Sequence, residues 1–286
     1  MVKSIEELRK ICAKSKTKEE WEGRWWIARF EPRIKLYMSI VWLFLHTNIS
    51  ANQVTLIGLG VGVTSGLLFC LGDPASCFFA SLLLQVEYNL DAVDGHIARY
   101  RGTASMTGNY FDAIVHYISE TFIFLCAGFG LFVRFDSLVP LIIGVAAAFF
   151  FFLLKIAYDL KYFIILGLFL KKKIKVKEKQ IVIPVSNIEL EKINRQKIIN
   201  PGWKIILKIF GLNPYKYLIF FNIATFLDLF IKPFIFINHQ FSCFYLLIFS
   251  YAVFYFLSSV KGIGDIVVNQ TIDSEFRQIF GEKNYI

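Results

Sequence analysis

The sequence has few cysteines, and their spacing indicates neither a metal site nor a disulfide framework. No two of them form a CxxC pair, and most stand in apolar surroundings. They are Cys12, Cys70, Cys77, Cys126 and Cys243. A zinc scaffold and a disulfide-rich fold are therefore not expected. The N-terminal stretch is charged and lacks an early apolar segment, so we expect no cleavable signal peptide.

Charged residues are also scarce, and those present are mostly basic. Asp, Glu, Lys and Arg make up 19% of the 286 residues, whereas 56% are hydrophobic and 31 are Phe. The mean hydropathy of +0.55 indicates a polytopic membrane protein. The net charge of +9 suits loops that face anionic lipid, so the bilayer is an expected partner. Basic residues form no cluster on a folded polar domain, so nucleic acid is not an expected partner.

The stretch from Asp91 to Glu120 contains two groups of residues at helical spacing. The first group recurs at i, i+3, i+4, i+7 and i+8 and the second at i, i+4 and i+8, so each lies along one helix face. The first consists of Asp91, Asp94, Gly95, Ala98 and Arg99, and the second of Gly108, Asp112 and His116. Residues 100–107 between them are polar and contain Gly102, which predicts a turn between antiparallel helices.

A turn centred near residue 103 places three pairs of ionisable residues at matching heights on the two helices. The pairs are Asp94 with Asp112, Asp91 with His116, and Glu87 with Glu120. Because unpaired carboxylates are costly to bury, we expect a cation among them. Hard oxygen ligands on a rigid scaffold favour Mg²⁺ or Mn²⁺.

These residues resemble the CDP-alcohol phosphatidyltransferase family, whose motif is D-x2-D-G-x2-A-R-x8-G-x3-D-x3-D. The positions from Asp91 to Asp112 match the motif, and only the last differs, since His116 stands where the family has Asp. The resemblance implies an enzyme that transfers a substituted phosphate from a CDP-linked donor to an alcohol acceptor and releases CMP. It also implies a homodimer.

The resemblance implies a role for each matching residue. Asp91, Asp94 and Asp112 are implied metal ligands. His116 takes the position of the base that removes the proton from the attacking alcohol, and an imidazole can also ligate metal. Glu120, one helical turn further, is expected to orient the His116 ring. The residues implied to bind the donor are Asn52, Thr55, Gly95, Ala98, Arg99 and Gly108.

Six apolar segments predict six transmembrane helices in an all-α fold. They lie at about 51–71, 76–99, 107–132, 138–158, 215–237 and 241–261, and Ser50 is placed to cap the first. We expect residues 50–286 to form the catalytic membrane domain and residues 1–49 to form a cytoplasmic, interfacial amphipathic segment. Further short helices are expected at about 5–12, 34–45 and 205–210.

The distribution of Lys and Arg predicts the orientation of these helices. Both termini and a loop at about 171–214 hold nearly all the basic residues, whereas the turns on the other side hold Arg134 alone. The positive-inside rule then places the termini, the loop and the active site on the cytoplasmic side.

Polar residues inside the later apolar segments have other interpretations. The apolar run of the fourth segment continues to residue 170, and we expect the part after residue 158 to run along the interface or to bend. Lys155, Asp159 and Lys161 interrupt this run, where they bind the phosphate of an acceptor or extend towards the interface, and the sequence favours neither. Asp228 and Lys232, spaced i and i+4, are expected to pair with each other.

Three alternatives remain for the function. The lipid enters as CDP-diacylglycerol, which we favour, or as the accepting alcohol, with a CDP-linked polar alcohol as donor. A site in which His116 has abolished catalysis is a second alternative. A cation transporter with an ion path along Glu87, Asp91, Asp94, Asp112 and Glu120 is a third, but it does not require glycine, alanine and arginine at fixed spacing. The acceptor alcohol and the number of metals cannot be inferred from the sequence.

Overall fold

The computed structural model describes residues 31–175, 214–236, 239–268 and 270–272. Within these ranges the chain forms seven helices and one two-stranded antiparallel sheet. The expected helices at 5–12 and 205–210, most of the basic loop and residues 273–286 lie outside the described residues.

The helices follow the order predicted from the apolar segments. They are α1 (Glu31–Leu45), α2 (Ala51–Cys70), α3 (Pro74–Arg101), α4 (Met106–Phe135), α5 (Leu138–Lys175), α6 (Pro214–Phe230) and α7 (Cys243–Val268). Strands β1 (Phe234–Phe236) and β2 (His239–Phe241) lie between α6 and α7.

Among the described residues, four helices are long and apolar enough to cross a membrane, in agreement with an all-α integral membrane protein. They are α2, α4, the part of α5 from Leu138 to Gly167, and α7. Helix α3 carries Glu87, Asp91 and Asp94 and is too polar, and α6 has only 17 residues, so neither meets both criteria.

Two of the predicted helix boundaries were wrong. The fifth apolar segment does not stay helical to residue 237, because α6 ends at Phe230, three residues before Pro233, and the chain then enters the β-hairpin. The fourth helix extends beyond residue 158, where the crossing was expected to end, since α5 is one continuous helix of 38 residues.

The turn of the motif hairpin is where the sequence predicted it. Helix α3 ends at Arg101, and Gly102 after it has a φ of 66°, which glycine adopts more readily than residues with a Cβ. The Ser105 side chain then caps α4 by accepting a hydrogen bond from the backbone N–H of Gly108 at 3.0 Å. Ser50 caps α2 in a capping box, as predicted.

Packing around the hairpin comes from two apolar clusters. In the larger one, Phe69, Phe124, Phe221 and Phe244 are almost completely buried where α2, α4, α6 and α7 meet. Phe124 lies one helical turn beyond Glu120, so this core begins next to the site. In the smaller cluster, α1 packs against α2 and α3.

Helices α4 and α5 approach each other closely at a pair of glycines. A Cβ atom added to Gly128 would lie 2.7 Å from the Cα atom of Gly144. Any side chain at either position would therefore force the two backbones apart.

A buried ion pair joins the last turn of α4 to α6. The Arg134 Nη1 donates to Oδ2 of Asp228 at 3.0 Å, and Oδ1 of Asp228 accepts from the backbone N–H of Cys243 at 2.8 Å. The expected pair of Asp228 and Lys232 was wrong, because Lys232 lies beyond the end of α6, where helical spacing no longer applies.

Candidate functional site

The candidate site lies between the two helices of the motif hairpin, with α2 packed along both. Helix α3 presents Asp91 and Asp94, and α4 presents Asp112 and His116 from the opposite side. These four side chains and Thr55 of α2 line one cavity. Its empty space, including the part open to the outside, is about 240 Å³.

The contact between Asp91 and His116 joins the two helices at the predicted height. The Nε2 atom of His116 lies 2.8 Å from Oδ1 of Asp91 and 3.6 Å from Oδ1 of Asp112. One ligand atom from each of the three residues lies within 4.8 Å of the others, so the group could hold a metal ion.

Asp94 lies outside this three-residue group. Its Oδ2 accepts a hydrogen bond from the Thr55 hydroxyl at 2.5 Å, and its side chain is buried. The hydroxyl gives the buried carboxylate a polar partner, which lowers the cost of removing the group from water. Asp94 thus faces the same cavity as the other predicted ligands, but its carboxylate is hydrogen-bonded to Thr55 of α2.

The third predicted pair, Glu87 with Glu120, is replaced by other contacts. Glu87 lines the cavity and accepts a hydrogen bond from the Ser119 hydroxyl. Glu120 pairs through Oε2 with Nζ of Lys155 at 2.8 Å, and its Oε1 lies 3.7 Å from Nδ1 of His116. The Glu120 carboxylate therefore lies beside the histidine ring, and its orienting role stays a prediction.

The other predicted donor-binding residues lie outside the lining of this cavity. They are Asn52, Gly95, Ala98, Arg99 and Gly108. Arg99 lies over Gly95, and its Nη2 is 3.2 Å from Nδ1 of His96. Gly108 lies beside Asn52, since a Cβ atom at residue 108 would stand 3.5 Å from Oδ1 of Asn52. These residues surround the part of the hairpin nearest the turn.

The profile of the CDP-alcohol phosphatidyltransferase family matches residues 48–255, which is most of the chain. The chain belongs to this family. The family and the enzyme class expected from the motif are thereby confirmed.

Two relatives of known name share part of this CDP-alcohol phosphatidyltransferase sequence. Archaetidylinositol phosphate synthase of Pyrococcus horikoshii is 28% identical over 119 residues, which cover 41% of this chain and 62% of that protein. Cholinephosphotransferase 1 of Danio rerio is 29% identical over 113 residues, 35% of this chain and 30% of that protein. The aligned stretches thus span less than two thirds of either relative.

A solved structure has the same fold. Phosphatidylinositol phosphate synthase of Mycobacterium tuberculosis, with CDP-DAG bound, gives a TM-score of 0.53 at 14% identity, over 80% of this chain and 92% of that one. Its apo form gives a TM-score of 0.51 at 16% identity.

Two contacts at the candidate site were not predicted from the sequence, the Thr55–Asp94 hydrogen bond and the Lys155–Glu120 ion pair. The sequence placed Thr55 among the donor-binding residues, and nothing in its spacing indicated a bond to Asp94. Lys155 was left between two interpretations, and the structure gives it a third, the pair with Glu120. Asp159, one turn further along α5, accepts a hydrogen bond from the Tyr117 hydroxyl. A lysine within an apolar run was the available signal that an acidic partner faces α5.

Proposed function

We propose that this protein is a membrane-embedded, metal-dependent phosphatidyltransferase of phospholipid synthesis that transfers the phosphatidyl group of CDP-diacylglycerol to an alcohol and releases CMP. The observation that carries the proposal is the convergence of Asp91, Asp112 and His116 beside one cavity, in a chain that belongs to the family. The choice of donor is supported by the fold shared with the mycobacterial synthase that holds CDP-DAG.

The acidic group suits a divalent cation such as Mg²⁺ or Mn²⁺. Ligands at about 2.1 Å from Mg²⁺ stand about 4.2 Å apart when they lie on opposite sides of the ion. One ligand atom from each of Asp91, Asp112 and His116 lies within 4.8 Å of the others, so small movements would bring the two carboxylates to ligand distances beside the imidazole. Asp94 would join them by turning away from Thr55. When bound, such a cation would neutralise the negative charge of the donor pyrophosphate.

His116 is the proposed general base. In this role Nε2 is not a metal ligand: Asp91 would turn from it when it holds the cation, and the free Nε2 takes the proton of the acceptor hydroxyl. The electron pair on that oxygen forms the new bond to the phosphorus of the phosphatidyl group. The bond from this phosphorus to the bridging oxygen of the pyrophosphate breaks, and CMP leaves with that electron pair. Glu120, at 3.7 Å from Nδ1, orients the ring for this transfer.

The donor nucleotide is proposed to lie along the part of the hairpin nearest the turn. There Gly95, Ala98 and Gly108 offer little side-chain bulk, so a ligand can approach the helix backbones. Arg99 can donate two parallel hydrogen bonds to a phosphate. Asn52 stands beside Gly108 and would contact the donor from α2.

A second reaction of the same class has support from one relative. The similarity to cholinephosphotransferase 1 of Danio rerio favours a CDP-linked polar alcohol as donor and a lipid alcohol as acceptor. Both reactions form CMP and use the same acidic site, so they differ in which substrate carries the acyl chains. Family membership favours either reaction over cation transport.

The proposed topology has six spans, with the termini, the basic loop and the active site on the cytoplasmic side. At 1.5 Å per residue, the 28 residues of α3 and the 17 of α6 measure about 42 and 26 Å, close to or above the thickness of the hydrocarbon core. The asymmetry of Lys and Arg supports the orientation. A homodimer is proposed from the family resemblance.

Release of CMP tests the proposal directly. The purified protein, in lipid nanodiscs with Mn²⁺, is given CDP-diacylglycerol or CDP-linked polar alcohols, each with a panel of alcohol acceptors. We expect CMP and a phosphatidyl product from CDP-diacylglycerol with a polar alcohol. CMP formed only from a CDP-linked polar alcohol and diacylglycerol would establish the second reaction. If no pair releases CMP, both reactions are excluded.

A further inference from the structure

Lys155 lies in an apolar helix outside the motif hairpin, yet its ammonium reaches the candidate site. Its Nζ is 2.8 Å from Oε2 of Glu120, and only 9% of the Glu120 side chain is exposed. A lysine and a glutamate inside a membrane protein are each costly, and pairing removes most of that cost. The pair therefore joins α5 to α4 at the height of His116.

The position of the Lys155 ammonium is fixed by two aromatic rings as well as by Glu120. Nζ lies 5.3 Å from the centre of the Tyr117 ring and 5.2 Å from that of Phe151. Both distances are within the range of cation–π attraction. The Tyr117 hydroxyl in turn donates to Asp159, one turn along α5 from Lys155. The Lys155 ammonium is thus held by Glu120 and the two rings, and its side chain does not extend towards the membrane interface.

The two oxygens of Glu120 face different partners. Oε2 pairs with Lys155, and Oε1 lies 3.7 Å from Nδ1 of His116. Because a carboxylate is planar, an ammonium that holds one oxygen also sets the direction of the other. The opposite ring nitrogen, Nε2, is then directed towards Asp91 and the cavity.

We propose that Lys155 is a positioning residue for the transfer reaction: it holds Glu120 so that the carboxylate fixes the His116 ring with Nε2 facing the cavity. This inference rests on the proposed function of His116 as the base. It extends the working part of the site from the motif hairpin to α5. It also assigns Lys155 no contact with either substrate.

The first test compares kcat with KM in purified variants that elute as single species. Lys155→Met should lower kcat by about 10- to 100-fold, as is typical for groups that orient a functional histidine. The KM for the CDP-linked donor should stay within about threefold, because the binding groups are unchanged. Lys155→Arg, which keeps the positive charge, should recover most of the rate. Lys261→Met on α7 is the matched control and should leave kcat unchanged.

The second test needs no turnover and so separates this inference from the proposed function. In protein labelled with ¹⁵N-histidine, the His116 resonances are identified by their loss in His116→Asn. Their chemical shifts should change in Lys155→Met and stay the same in Lys261→Met. If wild type releases no CMP but the resonances move, the proposed function fails and the positioning role stands.

Two results would overturn the inference. One is a Lys155→Met protein with wild-type kcat and unmoved His116 resonances. The other is a loss confined to the KM of donor or acceptor, which would make Lys155 a substrate-binding residue. If Lys155→Met does not fold, Lys155→Met/Glu120→Gln removes both charges and takes its place. Its kcat should then match that of Glu120→Gln alone, and a kcat equal to wild type would overturn the inference.

Discussion

The Nε2 atom of His116 lies 2.8 Å from Oδ1 of Asp91, and this contact joins the two helices of the motif hairpin. It places the residue that departs from the family motif directly against the first residue of that motif. The proposed base and a proposed metal ligand are therefore in contact, and their contributions have to be separated by experiment.

Replacement of His116 should reduce catalysis more than donor binding. We expect His116→Ala to lower kcat by about 10² to 10⁴-fold, the usual loss for a positioned base, with a small change in the KM of the donor. His46→Ala, in the loop before α2, is the control and should retain full activity. A parallel loss of donor binding in His116→Ala would instead make His116 chiefly a metal ligand.

Restoring the family residue should change the pH dependence. The wild-type rate should fall on the acid side as the base takes up a proton. His116→Asp should keep partial activity, with this acid limb at lower pH, because a carboxyl group ordinarily titrates below an imidazole. The measurement is kcat against pH for both proteins. An identical acid limb at full rate would exclude His116 from the mechanism.

Loss of a proposed ligand should weaken metal binding and abolish turnover. Asp91→Ala and Asp112→Ala should each lose CMP release and weaken the binding of Mn²⁺, measured by electron paramagnetic resonance of the free ion. Asp73→Asn, at the far end of α3, should bind Mn²⁺ as wild type does. Equal Mn²⁺ binding by Asp112→Ala and wild type would contradict the assignment.

The bond between Thr55 and Asp94 should contribute to stability. Thr55→Val keeps the side-chain shape but removes the hydroxyl that serves the buried carboxylate, so it should destabilise the fold by about 1–3 kcal/mol. Thr55→Ser should restore most of this. Thr64→Val, which loses only a bond to the Gly60 carbonyl on an exposed face of α2, is the control. Thermal unfolding in detergent measures all three, and equal midpoints for the two valine variants would argue against the bond.

The ion pair of Arg134 and Asp228 should be needed for folding. Arg134→Met leaves a buried carboxylate without its cation and should cost about 3–5 kcal/mol. The double variant Arg134→Met/Asp228→Leu should recover much of that loss, because it removes both charges. Lys232→Met should be neutral. A destabilised Lys232→Met beside a stable Arg134→Met would restore the pairing expected from the sequence.

The proposed topology can be checked by labelling single cysteines in a variant without the five native ones. Cysteines at Lys173 and Lys283 should react with an impermeant reagent only from the cytoplasmic side, and one at Ser137 only from the other side. Matching accessibility at Ser137 and Lys173 would rule out six spans.

The sequence predicted those features whose residues are close together along the chain. The hairpin followed from helical spacing on either side of Gly102, and the meeting of Asp91 and His116 followed from the position of the turn. Such inferences succeed because two adjacent helices have little freedom in how they pair.

Contacts between distant segments could not be predicted in the same way. Arg134 and Asp228 are 94 residues apart, and Lys155 reaches Glu120 from a helix outside the motif. Which faces of α5 and α6 turn inward depends on the packing of the whole bundle. The end of α6 at Phe230 was missed because the apolar run continues past it into a hairpin.

The close contact of α4 and α5 at Gly128 and Gly144 fixes how these two helices pack, although it lies away from the candidate site. The Gly128–Gly144 contact lies roughly two to three helical turns from the Glu120–Lys155 pair, on the same two helices. The backbones of α4 and α5 touch at the glycines, and the Glu120–Lys155 ion pair joins the same two helices at another height. Any group that separates the helices at the glycines therefore also changes their separation at the ion pair. An alanine methyl group at either glycine should push α5 away from α4 and lengthen the distance between Nζ of Lys155 and Oε2 of Glu120. The two glycines thus determine how far α5 can shift before the proposed positioning of His116 is lost.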